Sequence, residues 1–168
     1  EMVEQQFGYA IVDELLTETD LPSGGAYTAI GTYSHHEIVA LVVGLSKKTG
    51  VLLPNLLKTF GHHLFQTFVK GYGHLFEHAT NAFDFLESIE NYIHVEVQKL
   101  YPDAELPHFK TRRIDERQLE MLYQSERNMG DLAEGLIAAC LEHFNEKGSI
   151  QREMVMNGVA QERFLVMR

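Results

Sequence analysis

The chain has 168 residues, 45% of them hydrophobic, and a formal net charge of −10. That size suits one domain, 1–168, with a sizeable core, and the acidic excess argues against nucleic acid or an anionic membrane surface as a partner, since both demand clustered Lys and Arg. The single cysteine, Cys140, leaves no intrachain disulfide and no cysteine zinc site and fits a reducing cytoplasm; no apolar run approaches the ~20 residues of a membrane span, and no signal-peptide pattern is visible.

Residues 1–16 read as a helix interrupted by Gly8, at a cost of about 1 kcal/mol against Ala. Residues 19–25, with Asp20, Pro22, Ser23, Gly24 and Gly25, are a loop. Ser34 followed by Glu37 predicts a capping box. The helix it opens runs to about Lys48, buries Ile38, Leu41, Val42 and Leu45, and stops at Gly50. Pro54 falls in the first turn of the next helix, whose stripe is Leu56, Leu57, Phe60, Leu64, Phe65 and Phe68. Gly61 in its middle calls for a close neighbour, either another element or a flat ligand.

After a break at Gly71-Tyr72-Gly73, residues 76–85 read as a short helical stretch and connector. One helix then carries Leu86, Ile89, Ile93, Val97 and Leu100 as its apolar stripe, with His94 beside it, and ends before Pro102. Pro107 lies in an extended linker. Residues 112–114 and 119–123 read as paired strands, and 131–144 as a helix with Leu132, Gly135, Leu136 and Ala139 on one face. Residues 150–156 and 163–167 form a closing hairpin around Asn157-Gly158. Helices first and an antiparallel sheet last is α+β architecture.

Chemistry concentrates in two places. If the second strand continues to residue 127, then Leu119, Met121, Tyr123, Ser125 and Arg127 share one face. That face starts apolar and ends in two hydroxyls and a guanidinium, a set suited to gripping an anionic group from inside the protein. His94 is a lone imidazole in apolar company, with no His, Cys or Asp at i+3 or i+4. Zinc wants several protein ligands, whereas a haem iron needs one from the helix, because the porphyrin supplies four nitrogens. The pairs His35-His36, His62-His63 and His74/His78 lack further ligands and read as surface histidines.

His94, Pro107 thirteen positions later, and Tyr123-x-Ser125-x-Arg127 together resemble the H-NOX family, the haem–nitric oxide/oxygen binding domains, over nearly the whole chain. The resemblance implies haem b between an N-terminal helical part and a C-terminal antiparallel sheet with two long helices. It implies His94 as the iron ligand, Tyr123, Ser125 and Arg127 on the haem propionates, and Pro107 pressing the porphyrin out of plane. Leu64, Phe68, Leu132 and Leu136 would line the distal side. About ten residues of the family's opening segment, ~15 Å of helix, would precede Glu1.

Oxygen-binding members of the family place a tyrosine at the position of Leu132, and residues 131–144 contain none. Bound dioxygen carries partial negative charge and gains from a donor there, while NO and CO gain much less. The expectation is a sensor, not an enzyme, that binds NO and CO at ferrous iron without a stable oxy form. In the family NO weakens the bond between iron and the helical histidine, here His94, and the helix shifts. The partner would be a histidine kinase or a cyclic-di-GMP enzyme, a diguanylate cyclase or phosphodiesterase. A haem peroxidase would need a distal acid/base group, which Leu64 and Leu132 do not supply. The alternative is a non-haem α+β module for another anionic apolar ligand, or a scaffold without cofactor.

Overall fold

Gly8 divides the N-terminal helix in two. Its φ of 87° ends α1 (Met2–Phe7) and starts α2 (Tyr9–Glu18), a left-handed backbone that glycine adopts without steric cost. The computed structural model describes residues 1–28 and 31–168. Ser34 caps α3 (His35–Thr49), its Oγ accepting the His36 N–H at 3.3 Å. The expected capping box does not close. Glu37 is buried and accepts instead from the hydroxyls of Ser23 and Tyr27, the latter at 2.7 Å, so it ties α3 to the preceding loop.

Gly50 ends α3 in the left-handed conformation, and Pro54 sits in the first turn of α4 (Leu53–Gly71). A single 3₁₀ turn, Gly73–Phe76, leads to α5 (Ala82–Ser88), capped by Asn81, whose side-chain oxygen accepts the Asp84 N–H. The helix expected around His94 is three pieces: α5, a π turn (Ile89–Ile93), and α6 (His94–Leu100). Leu100 belongs to no stripe. It is the last helical residue and is 56% exposed.

Strands β1 (His108–Arg113) and β2 (Gln118–Gln124) precede α7 (Gly130–His143), and β3 (Ser149–Asn157) and β4 (Val159–Met167) close the chain. The antiparallel order is β1-β2-β4-β3. Pairing of Met121 with Phe164, and of Leu119 with Val166, puts four fully buried side chains on one face of the sheet. Against them pack Phe83 and Leu86 of α5 and Ile137 and Cys140 of α7. Each large side chain buried this way contributes about 1.5–3 kcal/mol. A second cluster joins Leu15, Val42, Leu45 and Leu56 among the N-terminal helices. α4 belongs to both, with Leu56 in one and Phe65 in the other. The result is the expected α+β arrangement, a helical part against a four-stranded antiparallel sheet, with α4 and α7 as the long helices over the core. No helix among the described residues is long and apolar enough to cross a membrane.

The close neighbour of Gly61 is α7. A Cβ at Gly61 would overlap the Leu132 carbonyl oxygen, and one at Gly135 would overlap the Lys58 carbonyl. The two backbones therefore touch, and Lys58 and Glu134 bridge them at 2.6 Å. Gly61→Ala should destabilise the protein by at least about 1–3 kcal/mol by overpacking, read as a lower urea midpoint at unchanged slope. A midpoint equal to that of the parent would show that the crossing tolerates separation.

Candidate functional site

The π turn delivers His94. The His94 N–H bonds the Ile89 carbonyl, five residues back, rather than that of Glu90, and such turns often mark functional positions. The imidazole is largely buried, with 15% of the side chain exposed. Burial pushes its pKa below 6.5, against the opposing pull of Glu90, so at neutral pH the ring is neutral, the form that ligates metals. Its Nδ1 lies 3.5 Å from Glu90 Oε2, and no hydrogen bond among the described residues engages Nε2. Glu90 is itself fixed: Oε2 accepts the Phe109 N–H at 2.9 Å, and Oε1 lies 3.1 Å from His108 Nδ1. Burial raises the pKa of Glu90, but the Phe109 amide, His108 and His94 together hold the carboxyl below its ordinary range.

The Tyr-x-Ser-x-Arg row does not lie wholly on a strand, as the sequence suggested. β2 stops at Gln124, which pairs with His108, the first residue of β1. The residue before His108 is Pro107, which has no N–H to extend the ladder. The chain turns away instead. Ser125 Oγ accepts the Arg127 N–H at 3.2 Å, the Ser125 carbonyl accepts from Asn128, and Asn128 takes φ 48°. Tyr123 remains on the strand, 4% exposed, with burial raising its phenol pKa against the effect of Ser125 and the Met129 backbone. Arg127 reaches Glu105 through one terminal nitrogen at 2.9 Å. Its Nε is buried and has no partner among the described residues.

Despite that correction, the residues singled out in the sequence converge. One cavity of about 360 Å³ is bordered by His94, Pro107, Tyr123, Ser125 and Arg127, and by Leu64, Phe68, Leu132 and Leu136. α4 and α7 supply the second group, all of it apolar; Phe68 is 38% exposed. Around His94 the wall is Ile89, Ile93, Val97 and Phe109. Leu132, Arg127 and Met129 also border a neighbouring cavity of about 410 Å³ against α3, so Leu132 stands between the two spaces.

The residues fit a haem. The walls are apolar, as a porphyrin disc requires, and the polar groups gather at one edge, where carboxylates need donors. The unpartnered Arg127 Nε is a donor whose acceptor the protein does not provide. Among the described residues, no three His, Cys, Asp or Glu side chains are grouped to hold a bare metal ion; a lone buried imidazole suits a metal that brings its own ligands. Sequence reasoning missed Glu90, although its i−4 spacing from His94 was readable. It also missed Phe109 and the π turn, for which no local signal exists.

The chain matches the family model described as haem-NO-binding over residues 1–152. No curated protein matches it. Among solved structures it is similar to the Fe(II) unliganded H-NOX protein from K. algicida, at 38% identity and TM-score 0.92, covering 99% of this chain and 90% of that one. It is also similar to the IWP-051-bound H-NOX from Shewanella woodyi in the Fe(II)CO state, at 38% identity and TM-score 0.84, covering 99% and 88%. An H-NOX protein from S. oneidensis in the Fe(II)NO state shares the fold at 24% identity and TM-score 0.86, covering 98% and 92%.

The orphaned donor gives a test that needs no ligand. Arg127→Met removes a buried unsatisfied N–H and an ion pair to Glu105, which is 80% exposed. Such a surface pair is worth little. The ligand-free variant should be as stable as the parent or more stable by up to about 1 kcal/mol. A clear loss in the denaturation midpoint would show that Arg127 serves the fold rather than a ligand.

Proposed function

This chain belongs to the haem-NO-binding family, and from that premise we propose that it is a haem-based sensor of nitric oxide. It takes haem b and binds NO and CO at ferrous iron. H-NOX domains are a haem gas-sensor fold, and this chain is read as a regulator rather than an enzyme. The observation that carries the reading is one cavity that brings together the buried His94, the apolar Leu64, Phe68, Leu132 and Leu136, and the unpartnered Arg127 Nε.

His94 is assigned as the iron ligand through Nε2. Tyr123, Ser125 and Arg127 are assigned to the two propionates, the guanidinium by charge-assisted hydrogen bonds and the hydroxyls as further donors. Pro107, which ends the sheet pairing, presses on the porphyrin from the linker side. When bound, haem would supply a ferrous iron able to take a diatomic gas. Leu64, Phe68, Leu132 and Leu136 exclude water from that position and offer no proton, which disfavours peroxidase chemistry and leaves bound dioxygen without a hydrogen bond. His94 reports the gas. With haem bound, NO would signal by weakening the Fe–His94 bond, and the π turn that joins α6 to α5 would let that helix respond. The recipient is a histidine kinase, or a diguanylate cyclase or phosphodiesterase. Such partners, and the single buried cysteine, fit the cytoplasm.

The absorption spectrum of the purified protein, supplied with haem, tests the reading. A Soret band that sharpens and shifts on adding NO or CO to the ferrous form is expected; no Soret band would sink the sensor in favour of a module for another anionic apolar ligand. Ligand choice has its own test. The ferrous protein in air should show no persistent oxy spectrum, and Leu132→Tyr should create one, slowing dioxygen loss by roughly 10–100-fold for one hydrogen bond to a charged acceptor. A stable oxy form in the parent would overturn the argument from Leu132.

A further inference from the structure

We propose that Glu90 is the positioning residue for His94. Its carboxylate holds the imidazole with Nδ1 protonated and turned toward the helix, so that Nε2 faces the cavity, and the same carboxylate locks the π turn to β1. The inference rests on the haem reading and extends it to a residue that touches no cofactor. Three distances carry it. Glu90 Oε2 lies 3.5 Å from His94 Nδ1 and accepts the Phe109 N–H at 2.9 Å, while Oε1 lies 3.1 Å from His108 Nδ1. One side chain therefore meets the turn that carries His94 and the strand that begins just after Pro107.

A metal-ligating histidine needs its second ring nitrogen engaged, because that bond selects the tautomer, fixes the ring plane and raises the basicity of the ligating nitrogen. A carboxylate does this more strongly than a backbone carbonyl, because the hydrogen bond is charge-assisted. Glu90 is placed to meet the requirement from i−4 on the same helical path, where side chains stack, with its Oε2 3.5 Å from Nδ1. Its second acceptor role keeps it there. The Phe109 amide stands at the start of β1, two residues after Pro107. With that bond made, the carboxylate cannot swing to solvent without releasing the strand. The position of His94 is thus coupled to the segment holding Pro107 through one group, independently of any contact across the cavity.

The test uses the haem-loaded ferrous protein without gas, and compares Glu90→Gln with Glu90→Ala. Gln keeps a carbonyl oxygen for the Phe109 N–H but removes the negative charge beside the imidazole; Ala removes both. The readout is the iron–histidine stretching frequency in resonance Raman, with far-UV circular dichroism and the thermal midpoint as fold controls. Glu90→Gln should keep the parent's midpoint and lower the frequency, and Glu90→Ala should lower it further and pass haem to apo-myoglobin on the order of tenfold faster. A folded Glu90→Gln protein at the parent's frequency overturns the proposal and reduces Glu90 to a tie between helix and strand. The two readings separate cleanly: a parent without a Soret band fails the sensor, whereas a parent with haem and an unmoved frequency in the variant fails only the role of Glu90.

Discussion

Where α4 crosses α7, no side chain stands between the two backbones. Gly61 faces the Leu132 carbonyl and Gly135 the Lys58 carbonyl, and any larger residue at either position would push the helices apart. Interaxial distance follows from the side chains at the contact, so this crossing is tight. Its consequence lies within two turns along each helix. Leu64 and Phe68 follow Gly61 by three and seven positions, and Leu132 and Leu136 flank Gly135. With the axes pressed together, these four side chains meet as one wall instead of two surfaces with a gap. The crossing does not bind anything; it decides how flat and how dry the wall of the cavity is.

The start of α7 is held by charge rather than by packing alone. Arg152 of β3 reaches Asp131, Glu134 and the buried Glu162, and its guanidinium lies over the ring of Phe164. A buried carboxylate such as Glu162 is costly unless paired, and Gly130 leaves the space in which its side chain sits. This network fixes the first turn of α7, which carries Leu132. The opposite wall is held differently: Arg113 of β1 ties α5 through Asp84 and Glu87, and past α5 the carboxylate of Glu90 ties the π turn to β1. One side of the cavity is therefore braced by backbone contact and an ionic network, and on the other α5 is clamped to the sheet while His94 follows a π turn tied to β1 by one carboxylate. A sensor needs that asymmetry: a rigid reference surface and an element with a second position close in energy.

Much of this was legible in the sequence, because the relevant signals are local. Helix stripes, Gly50 as a stop, Pro54 in a first turn and the Asn157-Gly158 hairpin follow from periodicity and turn chemistry. The grouping of His94 with Tyr123, Ser125 and Arg127 was legible only through the family pattern; nothing in their separate spacings joins a helix to a turn about thirty residues away. Two errors share a cause. Alternation carries the strand through to Arg127, and the capping signature assigns Glu37 to a box, because neither signal includes the partner. β2 ends where Pro107 denies it a neighbour, and Glu37 has better acceptor geometry toward Ser23 and Tyr27. The π turn was illegible for a different reason: its sequence, Ile-Glu-Asn-Tyr-Ile, is ordinary helical sequence, and only tertiary contacts select the wider register.

That π turn has an implication for how this segment tolerates change in length. A π turn holds one residue more than an α turn in the same axial space, so the segment 89–93 is equivalent to an α-helix with a single insertion. Losing one residue there would give a more regular helix, and by local propensity alone would be welcome. Because both turns fill the same axial space, the flanking helices would keep their places and the wider backbone ring would close. The His94 N–H, which now bonds five residues back, would return to an ordinary α register. Were the residue lost between Glu90 and His94, Glu90 would stand three positions before the imidazole instead of four. The extra residue therefore acts locally: it sets how the carboxylate meets the imidazole and leaves α5 and α6 where packing puts them.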